Sequence, residues 1–127
     1  MTEMTLVDTS AWIEYFRRDG DADVRAAVAK LIQNDRAAWS EIIFLELLRG
    51  NDRQRKQAKQ ITETLPCLSW NTACWQRAYQ LARLAARAGK PVPNTDILIF
   101  ACARQHGAGL LHRDRHFDVL AKVSKVE

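Results

Sequence analysis

The chain has 127 residues, 47% of them hydrophobic and 27% charged, with a formal net charge of +4. That size suits one domain with a real core, and no apolar run approaches the roughly 20 residues that span a bilayer. The first residues carry Glu3 and Asp8 and no basic stretch, so no signal peptide is expected. The three cysteines lack CxxC spacing, which favours reduced thiols and a cytoplasmic setting over a disulfide framework. The mildly basic balance is compatible with a polyanionic partner.

Met4 to Val7 reads as a buried strand that stops at Asp8. Thr9 and Ser10 suit a helix start, and the helix over Ser10 to Arg18 carries Trp12, Ile13 and Phe16 on its apolar face. Asp21 or Asp23 is expected to cap a second helix with Val24, Ala27, Val28, Leu31 and Ile32 at helical spacing. Asn34-Asp35 reads as a turn, and Arg36 to Trp39 as a short strand. Ser40 is the expected cap of a helix through Arg49, stopped by Gly50. Its residues are apolar almost all round, which predicts burial on most sides and leaves Glu46 in an apolar setting. Glu41, in the first turn, complements the helix dipole and is assigned no function.

Asn51 to Thr64 is polar, helical in propensity and locally basic. Leu65 to Trp70 reads as a short strand or extended segment, and Asn71 to Ala88 as the longest helix, ended by Gly89. After the stiff Lys90-Pro91-Val92-Pro93 connector, Asn94 or Thr95 should cap an apolar helix through Arg104. Ala108 to His112 is the next strand and Asp114 to Leu120 a short helix, with the tail from Ala121 to Glu127 as a further edge strand. Strands alternating with helices predict an α/β sandwich around a mostly parallel sheet, in a single domain over residues 1–127.

Four acids stand out by position: Asp8, Glu46, Asp96 and Asp114, with Asp118 one helical turn after Asp114. Taken singly, capping explains Asp8, Asp96 and Asp114 better than chemistry does. Glu46 is harder to dismiss, because a carboxylate inside a buried helix needs a partner or a metal; Arg49 at i+3 is one structural candidate. Jointly, acids at strand ends and helix starts share one edge of a parallel sheet. Clustered carboxylates raise one another's pKa unless a cation sits among them. An all-oxygen set suits Mg²⁺ or Mn²⁺, an ion that can activate water for in-line attack on a phosphodiester.

Asp8-Thr9-Ser10-Ala11-Trp12, Glu46-Leu47-Leu48-Arg49-Gly50, Asn94-Thr95-Asp96 and the stretch from Leu110 to Asp118 resemble the PIN-domain ribonucleases, and more narrowly the VapC toxins of type II toxin–antitoxin systems. The resemblance spans nearly the whole chain. It implies a three-layer α/β/α fold, Mg²⁺- or Mn²⁺-dependent RNA cleavage leaving 5′-phosphate and 3′-hydroxyl ends, neutralisation by a VapB antitoxin, and a homodimer. It carries metal-binding acids onto Asp8, Glu46, Asp96 and Asp114, a hydroxyl supporting the first acid, Asp8, onto Thr9 and an accessory acid onto Asp118. His116 stands where many members have another acid.

Zinc at His112 and His116 is disfavoured, since His112 ends a strand and no third ligand of the right type is evident. No P-loop, dinucleotide fingerprint or nucleophile elbow is present. Arg113 and Arg115 flank Asp114 and are candidate phosphate contacts. The basic group from Arg53 to Lys59 reads as a solvated face, and the four tryptophans as core or interface. Two function classes follow: a metal-dependent endoribonuclease, or a non-catalytic module (a degenerate PIN or receiver-like domain) whose acids hold a structural cation or cap helices. A nuclease acting on DNA would share the site and differ in substrate.

Overall fold

The computed structural model describes residues 3–125. Within them lie three strands, β1 (Thr5–Val7), β2 (Ala37–Ala38) and β3 (Gly109–Leu111). Seven helices accompany them: α1 (Thr9–Phe16), α2 (Ala22–Gln33), α3 (Glu41–Leu48), α4 (Asp52–Thr64), α5 (Thr72–Arg87), α6 (Asn94–Gln105) and α7 (Arg115–Ser124). The sheet is parallel throughout, in the order β2-β1-β3. Leu6 pairs with Ala38 on one side and Leu110 on the other.

This order fixes the architecture. The chain moves sideways from β1 to β2 through α1 and α2, then back past β1 to β3 through α3 to α6. Parallel crossovers are right-handed almost without exception, so opposite sideways movements place the two sets of helices on opposite faces of the sheet. The result is the α/β/α sandwich expected, with a switch point at β1. Ligand crevices open there, at the carboxyl ends of the strands.

The central strand is the most buried. Leu6 and Val7 are sealed, and Trp12, Val28, Ile43, Ile99, Phe117 and Leu120 pack around them from five helices. Trp12 stacks on Phe16 and meets Tyr15 edge-on, which fastens α1 to its own next turn. The carboxyl half of the chain is helix on helix: α5 packs on α6, and α7 packs on both. Cys74 and Cys102 are buried and Cys67 half-buried, all as free thiols.

Several sequence expectations change. The tail is no edge strand: α7 runs on to Ser124, because Phe117, Leu120 and Ala121 continue one apolar stripe into the core, and Val126 and Glu127 lie outside the described residues. Helix α3 is far less buried than its composition predicts; Leu45 is 60% exposed and Leu48 37%, while Ile43 and Leu47 face inward. Leu65 to Trp70 is extended and joins the sheet only through a single bridge, Cys67 to Trp39. Asp21, not Asp23, caps α2 by accepting from the Val24 N–H. Helix α6 has Pro93 at its cap position and no side-chain cap, so neither Asn94 nor Thr95 fills that role. Ser40 occupies the cap position of α3, yet its buried hydroxyl makes no capping bond.

Candidate metal centre

Asp8 leaves the end of β1 and caps α1. Its Oδ2 accepts the Ser10 N–H at 2.9 Å and the Ser10 hydroxyl at 2.6 Å, and the residue is 4% exposed. The Ser10 hydroxyl in turn accepts the Arg113 N–H at 2.9 Å. One serine therefore ties the loop after β1 to the loop after β3. The Asp8 N–H donates to the Leu111 carbonyl, which closes the same junction through the backbone.

Glu46 projects from the middle of α3. Its partner is Thr9, whose hydroxyl donates to Oε1 at 2.7 Å, and not Arg49. Asp96, in the first turn of α6, is 8% exposed. Asp114 caps α7 and accepts the His116 N–H on Oδ1 at 2.9 Å. The His116 ring folds back over this cap. Its Nδ1 lies 3.0 Å from Asp96 Oδ2 and 3.1 Å from Asp114 Oδ1.

The carboxylates feel one another. Burial pushes the Asp8 carboxyl above its ordinary value, with a further push from Asp114, although the Ser10 hydrogen bonds pull it down. Burial raises Glu46 as well, opposed by the Thr9 bond and reinforced by Asp8, Asp96 and Asp114. Asp96 is raised by burial, then by Asp114 and Asp8, with His116 opposing. So Asp8, Glu46, Asp96 and Asp114, from four different elements, form one electrostatic cluster at the switch point. Such a set is stabilised by a cation.

The donor chemistry fits a divalent ion. Asp96, Asp114 and His116 offer ligand atoms that all lie within 4.8 Å of one another. Asp8 and Glu46 add carboxylates beside them, and each keeps a second oxygen beyond the one engaged by its hydroxyl partner.

Asp118 stands apart. Its side chain is largely exposed and lies 3.8 Å from His112 Nε2. It lines a cavity of about 460 Å³ with Phe100, Arg104, Leu110, His112 and Phe117, and none of the four clustered acids borders that space. His112 and His116 point to different places, as their disfavoured zinc pairing implies: His112 Nδ1 faces the Asp114 N–H, and the ring packs on Phe117. Arg113 is ion-paired with Asp21 ahead of α2. Arg115 is exposed at the start of α7.

Ser10 was not legible as a site residue, and His116 was legible only as standing where many family members have an acid. Each sits two residues after a capping acid, where the cap geometry brings its N–H back to the carboxylate.

A PIN domain family model matches residues 5–123. A VapC ribonuclease of Mycobacterium bovis and the ribonuclease VapC11 of Mycobacterium tuberculosis are each 37% identical over 130 residues, covering 98% of this chain and 96% of the relative. Among solved structures, DNA-bound VapBC of Salmonella typhimurium superposes with a TM-score of 0.76 at 20% identity, over 92% of each chain. VapC20 of M. tuberculosis, described as a sarcin-ricin-loop-cleaving toxin, superposes at 0.66 and 22% identity, over 91% of this chain and 93% of that one.

Proposed function

Because the chain belongs to the PIN-domain family, within its VapC ribonucleases, we propose that it is the toxin of a type II toxin–antitoxin system and a Mg²⁺- or Mn²⁺-dependent endoribonuclease. The observation that carries this reading is the convergence of Asp8, Glu46, Asp96 and Asp114 at the switch point, three of them with raised pKa values. Helix caps alone would not bring together acids from four elements.

Asp8, Asp96 and Asp114, with Glu46, would hold the ion. Bound there, a divalent cation would supply charge stabilisation for a phosphodiester and activation of the attacking water. Asp8 and Asp114 are oriented by the first turns of α1 and α7, so little reorganisation accompanies substrate binding. Glu46 has Oε1 occupied by Thr9, which leaves Oε2 for the ion or for the proton released as water attacks. Thr9 is thus a positioning residue. Asp118 is an accessory acid at most, since it faces away from the cluster.

Arg115, and Arg113 on exchanging Asp21 for a phosphate, contact the RNA backbone. Arg115→Ala should lower the slope of log affinity against log salt by about one; an unchanged slope in a filter-binding titration removes it from the interface.

The partners are an RNA substrate, a VapB-type antitoxin and a second copy of the chain. The free thiols and an RNA substrate suit a cytoplasmic location, and no helix among the described residues is long and apolar enough to cross a membrane. Growth arrest on expression, relieved by the product of the adjacent reading frame, tests the toxin assignment. Calorimetry tests the site: Mn²⁺ uptake that Asp96→Asn abolishes is expected, and no uptake by the wild type would favour the non-catalytic module instead.

A further inference from the structure

His116 is the one nitrogen donor among the clustered acids. The chain's other histidines are turned elsewhere: His106 Nε2 lies 2.7 Å from the Ser69 carbonyl, and His112 faces the Asp114 N–H and Asp118. The His116 ring is held from both ends of the contact. Its backbone N–H is fixed by Asp114, and its side chain, 31% exposed, reaches across to α6. An imidazole Nδ1 with one proton cannot serve Asp96 and Asp114 equally, yet it lies at 3.0 and 3.1 Å from the two. Those separations have a second meaning. An octahedral ion with bonds of about 2.1 Å at right angles places neighbouring ligand atoms about 3.0 Å apart. His116 Nδ1 is therefore spaced from Asp96 Oδ2 and from Asp114 Oδ1 as a ligand adjacent to each, and all three atoms lie within 4.8 Å of one another.

We infer that His116 is a direct nitrogen ligand of this centre and biases it towards Mn²⁺ and later first-row ions over Mg²⁺. The inference rests on the reading of the acids as a metal centre. Its physical ground is ligand preference: Mg²⁺ binds oxygen and keeps its waters, whereas imidazole suits the transition metals, with affinity rising from Mn²⁺ through Co²⁺. With Nδ1 given to an ion, the neutral ring would carry its proton on Nε2, and Asp96 and Asp114 would be free to face the ion in place of the ring. The alternative role for His116, a hydrogen-bonding bridge outside the coordination sphere, leaves the centre all-oxygen and indifferent to which hard ion fills it.

The experiment uses the full chain, freed of any co-purified antitoxin, as wild type, His116→Asp, His116→Asn and His112→Gln. Circular dichroism confirms the fold of each. Calorimetry gives Mn²⁺ and Mg²⁺ affinities, and pulsed electron paramagnetic resonance of the Mn²⁺-loaded protein detects a directly bound ¹⁴N. The wild type and His112→Gln should show the nitrogen coupling, and both His116 variants should lack it. The ratio of Mn²⁺ to Mg²⁺ affinity should fall by about tenfold in His116→Asp, where an oxygen replaces the nitrogen. Because Asn removes the nitrogen without adding charge, it separates ligand type from charge. Mn²⁺ bound by the wild type with no ¹⁴N coupling, or a coupling that survives in both His116 variants, overturns the ligand role and leaves the metal centre standing. Failure of the wild type to take up either ion removes the centre itself.

Discussion

Asp8 and Asp114 each do two things at once. One oxygen accepts the backbone N–H two residues on and fixes a helix start, while the carboxylate as a whole contributes to the repulsive cluster. Capping and chemistry, alternatives when the sequence is read alone, are compatible because a carboxylate offers about four lone-pair sites. The cost falls on stability. Burial and neighbouring acids raise the Asp8 carboxyl above its ordinary value, so between that value and the raised one the folded protein binds more protons than the unfolded chain. In that window stability falls as pH rises. Asn at position 8 keeps an acceptor for Ser10 and removes the charge. In chelator, Asp8→Asn should therefore melt higher than wild type at pH 7, by about 1 kcal/mol. The gap should close as pH falls towards about 3.9, where the unfolded carboxyl protonates. Thermal melts across pH check this, and a variant less stable by the same amount at every pH would mean that the cap outweighs the repulsion. The four acids were legible because each lies near a strand end or at a helix start, or interrupts an apolar run. Their pairings were not: Thr9, expected to support Asp8, gives its hydroxyl to Glu46 while Ser10 serves Asp8, and His116 to Asp96 joins residues far apart in sequence.

At the scale of elements, helix positions followed from apolar spacing and punctuation. The exceptions share a cause, which is that periodicity reports how apolar a segment is and not what lies against it. Helix α3 reads as buried on most sides, yet Leu45 and Leu48 face outward. The tail reads as strand because it is short and rich in valine, but its stripe packs along the core as a continuation of α7. The link from α1 to α2 is built around Gly20, where a Cβ would overlap the Glu14 carbonyl oxygen, a backbone atom that cannot yield. The Glu14 side chain also accepts the Asp21 N–H at 3.1 Å and so presets the cap of α2. Gly20→Ala should lower stability by about 2 kcal/mol in denaturant titration. An unchanged midpoint would show that this link relaxes without strain.

Across the whole molecule, three short strands position a site contributed by four elements. The parallel order with a reversal at β1 sends the chain out on both faces and returns each loop to one edge, where Asp8 and Asp114 follow adjacent strands. The apolar surface left outside this arrangement is concentrated on Leu45 and Leu48 of α3 and on Trp75 and Tyr79 of α5, which are 44% and 58% exposed. Trp75 stacks on Tyr79 and meets Trp70 edge-on, and the backbone N–H of Trp70 donates to the Glu41 side chain at the start of α3. A contiguous exposed apolar patch marks an interaction surface, and these four side chains are the ones to test for it. If it serves the proposed homodimer, Leu45→Glu should shift wild-type dimers to monomers in sedimentation velocity while leaving the helical circular dichroism intact. A dimer unaffected by that charge would place the interface elsewhere.

The most direct test of the central claim is cleavage of total cellular RNA by purified protein with Mg²⁺, Mn²⁺ or chelator, beside Asp8→Asn purified identically. Metal-dependent cleavage by the wild type, lowered at least about a hundredfold in the variant, is the predicted result. Equal cleavage by both proteins, or cleavage undiminished by chelator, would contradict a metal centre built on Asp8.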